Sequence, residues 1–352
     1  MTAKKHIMAV AVACTTLWLA SCTPSSQKAL PPKRFDNDVL NGYTPIKDQG
    51  HSSTCWIYAM LAAIETERIM KGDSVNLSPD YAARRMLEEQ FDRHVLTGGA
   101  AEISDRGTAS DLLRLMERHG AMPFDSYTTA KSGHSPAAGF SLLARKTKAI
   151  AQKAVNSKSS PRKFRPMLDH MLDESLGPVP HHVYMLGAEY TPEEFGRSVC
   201  PGGYFKALTS FTHHPFGHSI DLELPDNRRH NLFLNLPLDS LLSATVEAVE
   251  QGHGVCWEGD ISEPLFSFRQ GMALTATNQH PTQQLRQRLF ETRRTTDDHC
   301  MAIVGIAHDE RGQRYFIMKN SWGTANPYQG LMYMSEPYFM LKTIAVWVPC
   351  GK

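Results

Sequence analysis

The sequence predicts an α+β fold of two lobes, helical in its first part and rich in antiparallel strands in its last. Three observations carry this. Between Cys55 and Val155, runs with helical character are opened by Ser or Pro and closed by Gly. From Tyr204 onward, short runs of β-branched and aromatic residues alternate with turn residues. The composition is that of an ordinary globular protein: 352 residues, 41% hydrophobic and 21% charged. A chain this long buries a large core without disulfide staples. Its formal net charge of +1 supplies no basic field, so nucleic acid is not expected as a partner.

The N-terminus stands apart. Lys4, Lys5 and His6 precede an almost unbroken apolar stretch from Ile7 to Ala20, shorter than the roughly 20 residues of a membrane span. A basic start, a short apolar run and small residues before a cut site describe a secretory signal peptide over residues 1–21. Leu19-Ala20-Ser21-Cys22 resembles the lipobox of bacterial lipoproteins, in which the Cys is lipidated and becomes the first mature residue. The resemblance implies Cys22 as the lipidation site, palmitate among its acyl groups, and a protein anchored to a membrane of the bacterial cell envelope. Pro24, Ser25, Ser26, Pro31 and Pro32 mark residues 22–40 as a flexible tether.

Asn41 to Gly50 reads as a loop, and Ser52-Ser53-Thr54 offers N-cap oxygens to a helix from Cys55 to Met70. That helix is apolar nearly all round in its first half, which predicts a buried helix. Ser78-Pro79-Asp80 starts a second helix running to about Phe91, Ser110 to Arg118 is a third and Phe140 to Val155 a fourth. Arg145, Lys146, Lys148 and Lys153 of the fourth read as a solvated face. Strands are predicted over Tyr204–Phe211, Asn231–Leu236, Gly254–Glu258, Cys300–His308, Arg314–Lys319 and Gly330–Met334, with one helix at about Leu238–Gln251.

Three segments carry chemistry. Cys55 opens a buried helix, where the partial positive charge of the N-terminus favours a thiolate. His299, in Asp298-His299-Cys300-Met301-Ala302, precedes an apolar strand that would hold a general base rigidly. Asn320, in Lys319-Asn320-Ser321-Trp322-Gly323, ends a strand; its oxygen can accept an imidazole N–H and Trp322 can shield that bond from water. Cys300 is expected to point away from the base, into the core.

Taken together these segments resemble the papain-like cysteine peptidases: Gln49-Gly50 six residues ahead of Cys55-Trp56, then Asp298-His299 and an apolar run, then Asn320-Ser321-Trp322-Gly323. The resemblance implies a helical left lobe and an antiparallel β-barrel-like right lobe with the active site in the cleft between them. It implies a peptidase domain over 41–352, with a helical lobe at about 50–170, an insertion at about 140–200 and a β-rich lobe at about 200–348. Cys55 would be the nucleophile, His299 the base and Asn320 its orienting partner. Gln49 and the Cys55 N–H would form the oxyanion hole, with Trp322 and Asp298 in support. Peptides or proteins would be the substrates, with no cofactor and no metal. Ser52-Ser53-Thr54 replaces the family's Cys-Gly-Ser, which removes a disulfide partner and touches no catalytic atom.

Cys55 and His299 are 244 residues apart, against roughly 130–150 in the compact papain type. The intervening segments Tyr190–Phe195, Leu208–Phe216 and Val255–Asp260 resemble the bleomycin hydrolase / aminopeptidase C branch. That branch implies an aminopeptidase and hexameric cages; here a homo-oligomer is left open. The branch reads the substrate amine with its C-terminal carboxylate, and the shorter tail Val348–Lys352 leaves endopeptidase action open as well. The 33 residues from Cys22 to Cys55 leave no room for a long inhibitory pro-segment.

Two readings compete: a catalytically silent peptide-binding lipoprotein, against which the full Cys, His, Asn and Gln set argues, and a transglutaminase-like acyl transferase, whose third member is usually Asp rather than Asn320. His181-His182 and His213, His214 and His218 lie in loop-like contexts without Cys partners and read as loop histidines rather than zinc ligands. Of seven cysteines, Cys14 would leave with the signal and Cys22 would carry lipid. Besides Cys55, the other four (Cys200, Cys256, Cys300 and Cys350) allow three disulfide pairings, among which sequence does not choose.

Overall fold

The helix that begins at Cys55 has no solvent face along most of its length, and the other layers are built around it. The structure, a computed structural model, describes residues 33–129, 139–185, 187–276 and 281–350. The signal peptide, Cys22 and most of the expected tether lie outside the described residues. In chain order the elements are β1 (Asp36–Leu40), α1 (Cys55–Met70), α2 (Pro79–Leu96), α3 (Ala109–His119), α4 (Gly139–Asn156), α5 (Pro161–Leu176), β2 (Val183–Met185), β3 (Ala188–Tyr190), α6 (Pro192–Val199), β4 (Phe205–Thr209), β5 (Ser219–Asp221), β6 (Leu232–Asn235), α7 (Leu238–Glu250), β7 (Val255–Gly259), β8 (Phe266–Ser267), β9 (Met272–Ala273), α8 (Gln283–Glu291), β10 (His299–His308), β11 (Arg314–Lys319), β12 (Leu331–Ser335), α9 (Glu336–Lys342) and β13 (Thr343–Pro349).

Helices α1 to α5 share one hydrophobic core, to which α1 contributes Trp56, Ile57, Met60, Leu61 and Ile64. A second core, built on Trp257, Met301, Ile303, Phe316, Met334 and Phe339, lies within the strand-rich part. The main sheet runs β5-β6-β4-β13-β7-β10-β11-β12-β9-β8, with β1 on the far half of β10. It is mixed: pairing is antiparallel except for β4–β6 and β9–β12. Strand β10 is its spine. Residues His299–Ile303 pair with β7, Gly305–His308 pair with β1, and β11 lies along the other edge. Gly259 of β7 sits opposite His299. A Cβ there would stand 2.3 Å from the Lys342 carbonyl oxygen and 2.4 Å from the Trp257 ring, so only glycine allows this approach.

Several elements differ from the expectation, each for a physical reason. β1 falls inside the expected tether: Asp36–Leu40 pairs with β10, so the tether ends before residue 36. Its mostly exposed residues carry no apolar alternation to mark a strand. Helix α2 runs on to Leu96, where Thr97-Gly98-Gly99 stops it. Helix α5 is not among the expected elements; its Pro161 occupies the first turn, and only Pro166 removes an interior hydrogen bond. No side chain caps α1. The Thr54 hydroxyl instead meets Ser52 Oγ at 2.6 Å. The basic residues of α4 are exposed, as a solvated face requires. No helix among the described residues is long and apolar enough to cross a membrane.

A buried charge cluster ties α1 to the strands. Glu65 of α1 is fully buried and pairs with Lys47 at 2.6 Å and with Lys319 of β11 at 3.5 Å. It also accepts hydrogen bonds from the Thr44 hydroxyl and the Leu77 N–H. Burial opposes its charge, but the two lysines outweigh that and hold the carboxyl below its ordinary value. Lys319 is lowered to about 8, chiefly by burial. Removing one partner of such a cluster strands the other charges away from water. Glu65→Gln is therefore expected to destabilise the fold by roughly 3–5 kcal/mol, read as a lower denaturant midpoint with an unchanged slope.

Candidate functional site

The cleft that opens beside the N-terminus of α1 has a volume of about 550 Å³ and is lined by Gln49, Cys55, Trp56, Arg106, Asp226, Glu258, Asp297, His299, Cys300 and Trp322 among others. Cys55 is the first residue of α1 and partly exposed there. The loop before it is pinned from both sides. Asp105 Oδ2 accepts the Ser53 N–H at 2.9 Å, and the Trp56 indole donates to the Asp105 carbonyl at 3.1 Å. Gln49 N–H donates to the Ser321 carbonyl at 2.8 Å, Gly323 N–H to that of Lys47 at 3.2 Å, and Asp48 bridges Trp322. The segment after β11 is thereby laced to the segment before α1.

His299 opens β10 and is buried. Its Nε2 lies 2.8 Å from Asn320 Oδ1. That oxygen also accepts the Ser321 N–H at 2.7 Å, and Asn320 Nδ2 contacts Met332 Sδ at 3.4 Å, which fixes the amide. An oxygen that already accepts one N–H requires a hydrogen on Nε2, leaving Nδ1 for Cys55. Trp322 lies over the ring, with centroids 4.6 Å apart, and is itself edged by Phe266 and Phe268. The ring contacts keep water from the imidazole–amide bond.

The Cys55 thiol is held well below its ordinary value. The largest cause is a hydrogen bond from the Cys300 thiol; burial opposes it, and a hydrogen bond and charge from His299 and the Cys300 N–H add to it. Cys300 is pushed well up, first by burial and then by acting as donor to Cys55. Cys300 is buried in the hydrophobic core, as expected, and it also lines the cleft beside Cys55. Cys55, Cys200, Cys256, Cys300 and Cys350 are all free thiols.

The structure brings Cys55, His299, Asn320, Gln49 and Trp322 to one place. Gln49 is already engaged: Nε2 donates one N–H to the Ser52 carbonyl at 2.7 Å, and Oε1 accepts the Ser321 hydroxyl at 2.6 Å. An amide nitrogen carries a second N–H, which remains for the cleft. Asp298 is exposed at the rim and accepts the Thr296 hydroxyl at 2.7 Å. Its neighbour Asp297, which sequence reasoning passed over, is the buried one. Burial and then Asp226 push its carboxyl up to about 6. Glu258, Asp226 and Arg106 were missed as well. The acid pair ahead of His299 and the acid in the strand run Val255–Gly259 were the available signals.

Elsewhere, His213 and His214 both meet Glu223, at 3.0 and 2.9 Å, and their ligand atoms lie within 4.8 Å of one another. His213 Nδ1 is taken by Gln287 at 2.9 Å, and none of the three lines the cleft. His182 pairs with Glu189 at 3.2 Å.

A buried imidazole fixed by an amide beside a low-pKa thiol at a helix N-terminus defines the site of a cysteine-type hydrolase. The chain is similar to the papain-like cysteine peptidases: the model of the Peptidase C1-like family matches residues 206–348. It is 22% identical over 346 residues to "Aminopeptidase E" of Lactobacillus helveticus, covering 84% of this chain and 78% of that one. It is 26% identical over 176 residues to "Aminopeptidase W" of Lactobacillus delbrueckii subsp. lactis, covering 47% of this chain and 40% of that one. The fold matches the crystal structure of PepW from Lactobacillus rhamnosis with a TM-score of 0.67 at 17% identity, covering 89% of this chain and 81% of that one.

The Cys300 thiol lowers the Cys55 pKa by donating to the thiolate, so its removal favours the protonated form. In Cys300→Ala the midpoint of the pH dependence of Cys55 alkylation by iodoacetamide, followed by peptide mass spectrometry, is expected to move to higher pH.

Proposed function

We propose that the protein cleaves peptide bonds through an acyl-enzyme formed on Cys55, with His299 as base and acid and Asn320 as its orienting partner. The 2.8 Å contact from His299 Nε2 to Asn320, under Trp322, is the observation that carries this reading. It supports a fixed tautomer with Nδ1 toward the Cys55 sulfur. The sulfur bonds to the peptide carbonyl carbon, and the proton it gave up is held on His299. The C–N bond then breaks and His299 passes that proton to the leaving amine. Water adds its hydroxide to the acyl carbon, returns a proton to His299, and the C–S bond breaks.

The developing oxyanion would meet two donors. One is the Cys55 N–H, which at the first helical position has no intrahelical carbonyl to satisfy it. The other is the free N–H of Gln49. The relatives' names favour aminopeptidase action over endopeptidase action. Cys55→Ala and His299→Ala are each expected to lower kcat by about 10⁴-fold or more, and Gln49→Ala by about 10²–10³-fold, on fluorogenic peptide substrates under reducing conditions. Activity that survives in Cys55→Ala contradicts the mechanism. Binding of peptides without turnover by the unaltered protein favours the silent binding module.

We further propose that Cys22 carries the lipid that anchors the protein in the bacterial cell envelope. Leu19-Ala20-Ser21-Cys22 after a short apolar run is the observation behind it. Cells fed an alkyne-tagged fatty acid are expected to label the protein and to hold it in the membrane fraction. Cys22→Ser is expected to abolish the label.

A further inference from the structure

The cleft wall beside Cys55 carries two carboxyl groups that peptide cleavage as described leaves without a task. Glu258 is 2% exposed and its Oε2 has no hydrogen-bond partner. Asp297 is 8% exposed and its Oδ2 likewise lacks one. Both line the cleft that Cys55 lines. Buried carboxyl oxygens without partners are costly, and a fold keeps them where something arrives to satisfy them.

The third acid of this wall is already matched. Arg106 Nε lies within 2.9 Å of both oxygens of Asp226, and Arg228 approaches it at 3.7 Å. Among the described residues no ion pair joins Glu258 or Asp297 to a cation. The charges that bear most on Glu258 are negative, Asp297 first, and together with burial they push its carboxyl well up.

Strand register places Glu258 close to the chemistry. Glu258 of β7 pairs directly with Cys300 of β10. Side chains of directly paired residues share one face of the sheet, with Cβ atoms about 4.5–5.5 Å apart. Cys300 follows His299 and lines the same cleft as Cys55. Glu258 therefore stands on the cleft wall beside the residue next to His299, within the cleft that the Cys55 sulfur lines. A substrate group that reaches it must lie close to the scissile carbonyl, and the α-ammonium of an N-terminal residue is only two bonds from that carbon.

We propose that Glu258 and Asp297 form a cation subsite that selects substrates with an ammonium or guanidinium group next to the scissile bond. Its two sources are the free α-amine of the first residue and the side chain of a neighbouring Lys or Arg. The proposal rests on Cys55 being the nucleophile of a peptidase.

The test uses the full-length protein and three aminomethylcoumarin substrates: a free-amine aminoacyl compound, an N-acetylated peptide with Lys or Arg beside the scissile residue, and an N-acetylated neutral peptide. The unaltered protein is expected to favour one cationic substrate over the neutral one by about 10-fold or more in kcat/KM. Preference for the first identifies the α-amine, and for the second a side chain. In Glu258→Gln the cationic-to-neutral ratio is expected to fall about 10- to 100-fold, the range of a charge-assisted hydrogen bond, chiefly through KM. Asp297→Asn is expected to lower it in the same direction. Equal cleavage of all three substrates by the unaltered protein, abolished in Cys55→Ala, overturns the subsite and leaves the peptidase reading standing. An unchanged ratio in both variants also overturns it. No cleavage of any of the three, with Cys55 still alkylated by iodoacetamide, overturns both readings.

Discussion

Everything at the site depends on how α1 is held. A helix buried on almost every side, from Trp56 to Glu67, has no freedom to slide or roll without disrupting the core around it. Its N-terminus presents Cys55, and the strands against which it packs supply His299 and Asn320. Glu65, nearly three turns on, clasps Lys319, the residue before Asn320. Cys55 and Asn320 are thus tied through one buried ion cluster as well as across the cleft. Such a cluster contributes little net stability compared with an apolar core, but it fixes one register of helix against strand.

The second constraint is electrostatic. The helix terminus, the His299 charge and the Cys300 thiol all favour a thiolate at Cys55, whereas burial opposes it. Acids crowd the same cleft, and Glu258 is pushed well up among them. A site that gathers a stabilised thiolate and unmatched carboxyls gives up folding stability locally, the usual mark of a functional position. Arg106 tempers this by taking Asp226, whose N–H in turn helps hold Asp297.

The long, uninterrupted elements were the legible part of the fold. Helix α1 has the expected ends because Gly72 and the absence of interior breakers bound it, and β11 spans Arg314–Lys319 because its apolar run stops at a polar pair. Elements whose residues are ordinary in isolation escaped. β1 owes its existence to β10, and α5 hides two prolines that only the helix's start and packing make tolerable. In the site, spacing motifs pointed to Cys55, His299, Asn320, Gln49 and Trp322. They were silent on Glu258, whose place beside Cys300 arises from cross-strand register between segments 42 residues apart in sequence. Periodicity placed Cys300 in the core, where it lies, and the start of β10 at the cleft wall makes the same residue line the cleft.

The most direct measurement is the capture of the covalent intermediate. The full-length protein would be mixed with a peptide thioester, quenched in acid within seconds and digested for mass spectrometry. The account predicts the acyl group on the peptide that contains Cys55. Turnover of the thioester with the acyl group on another residue, or with none on Cys55 at any quench time, would contradict it.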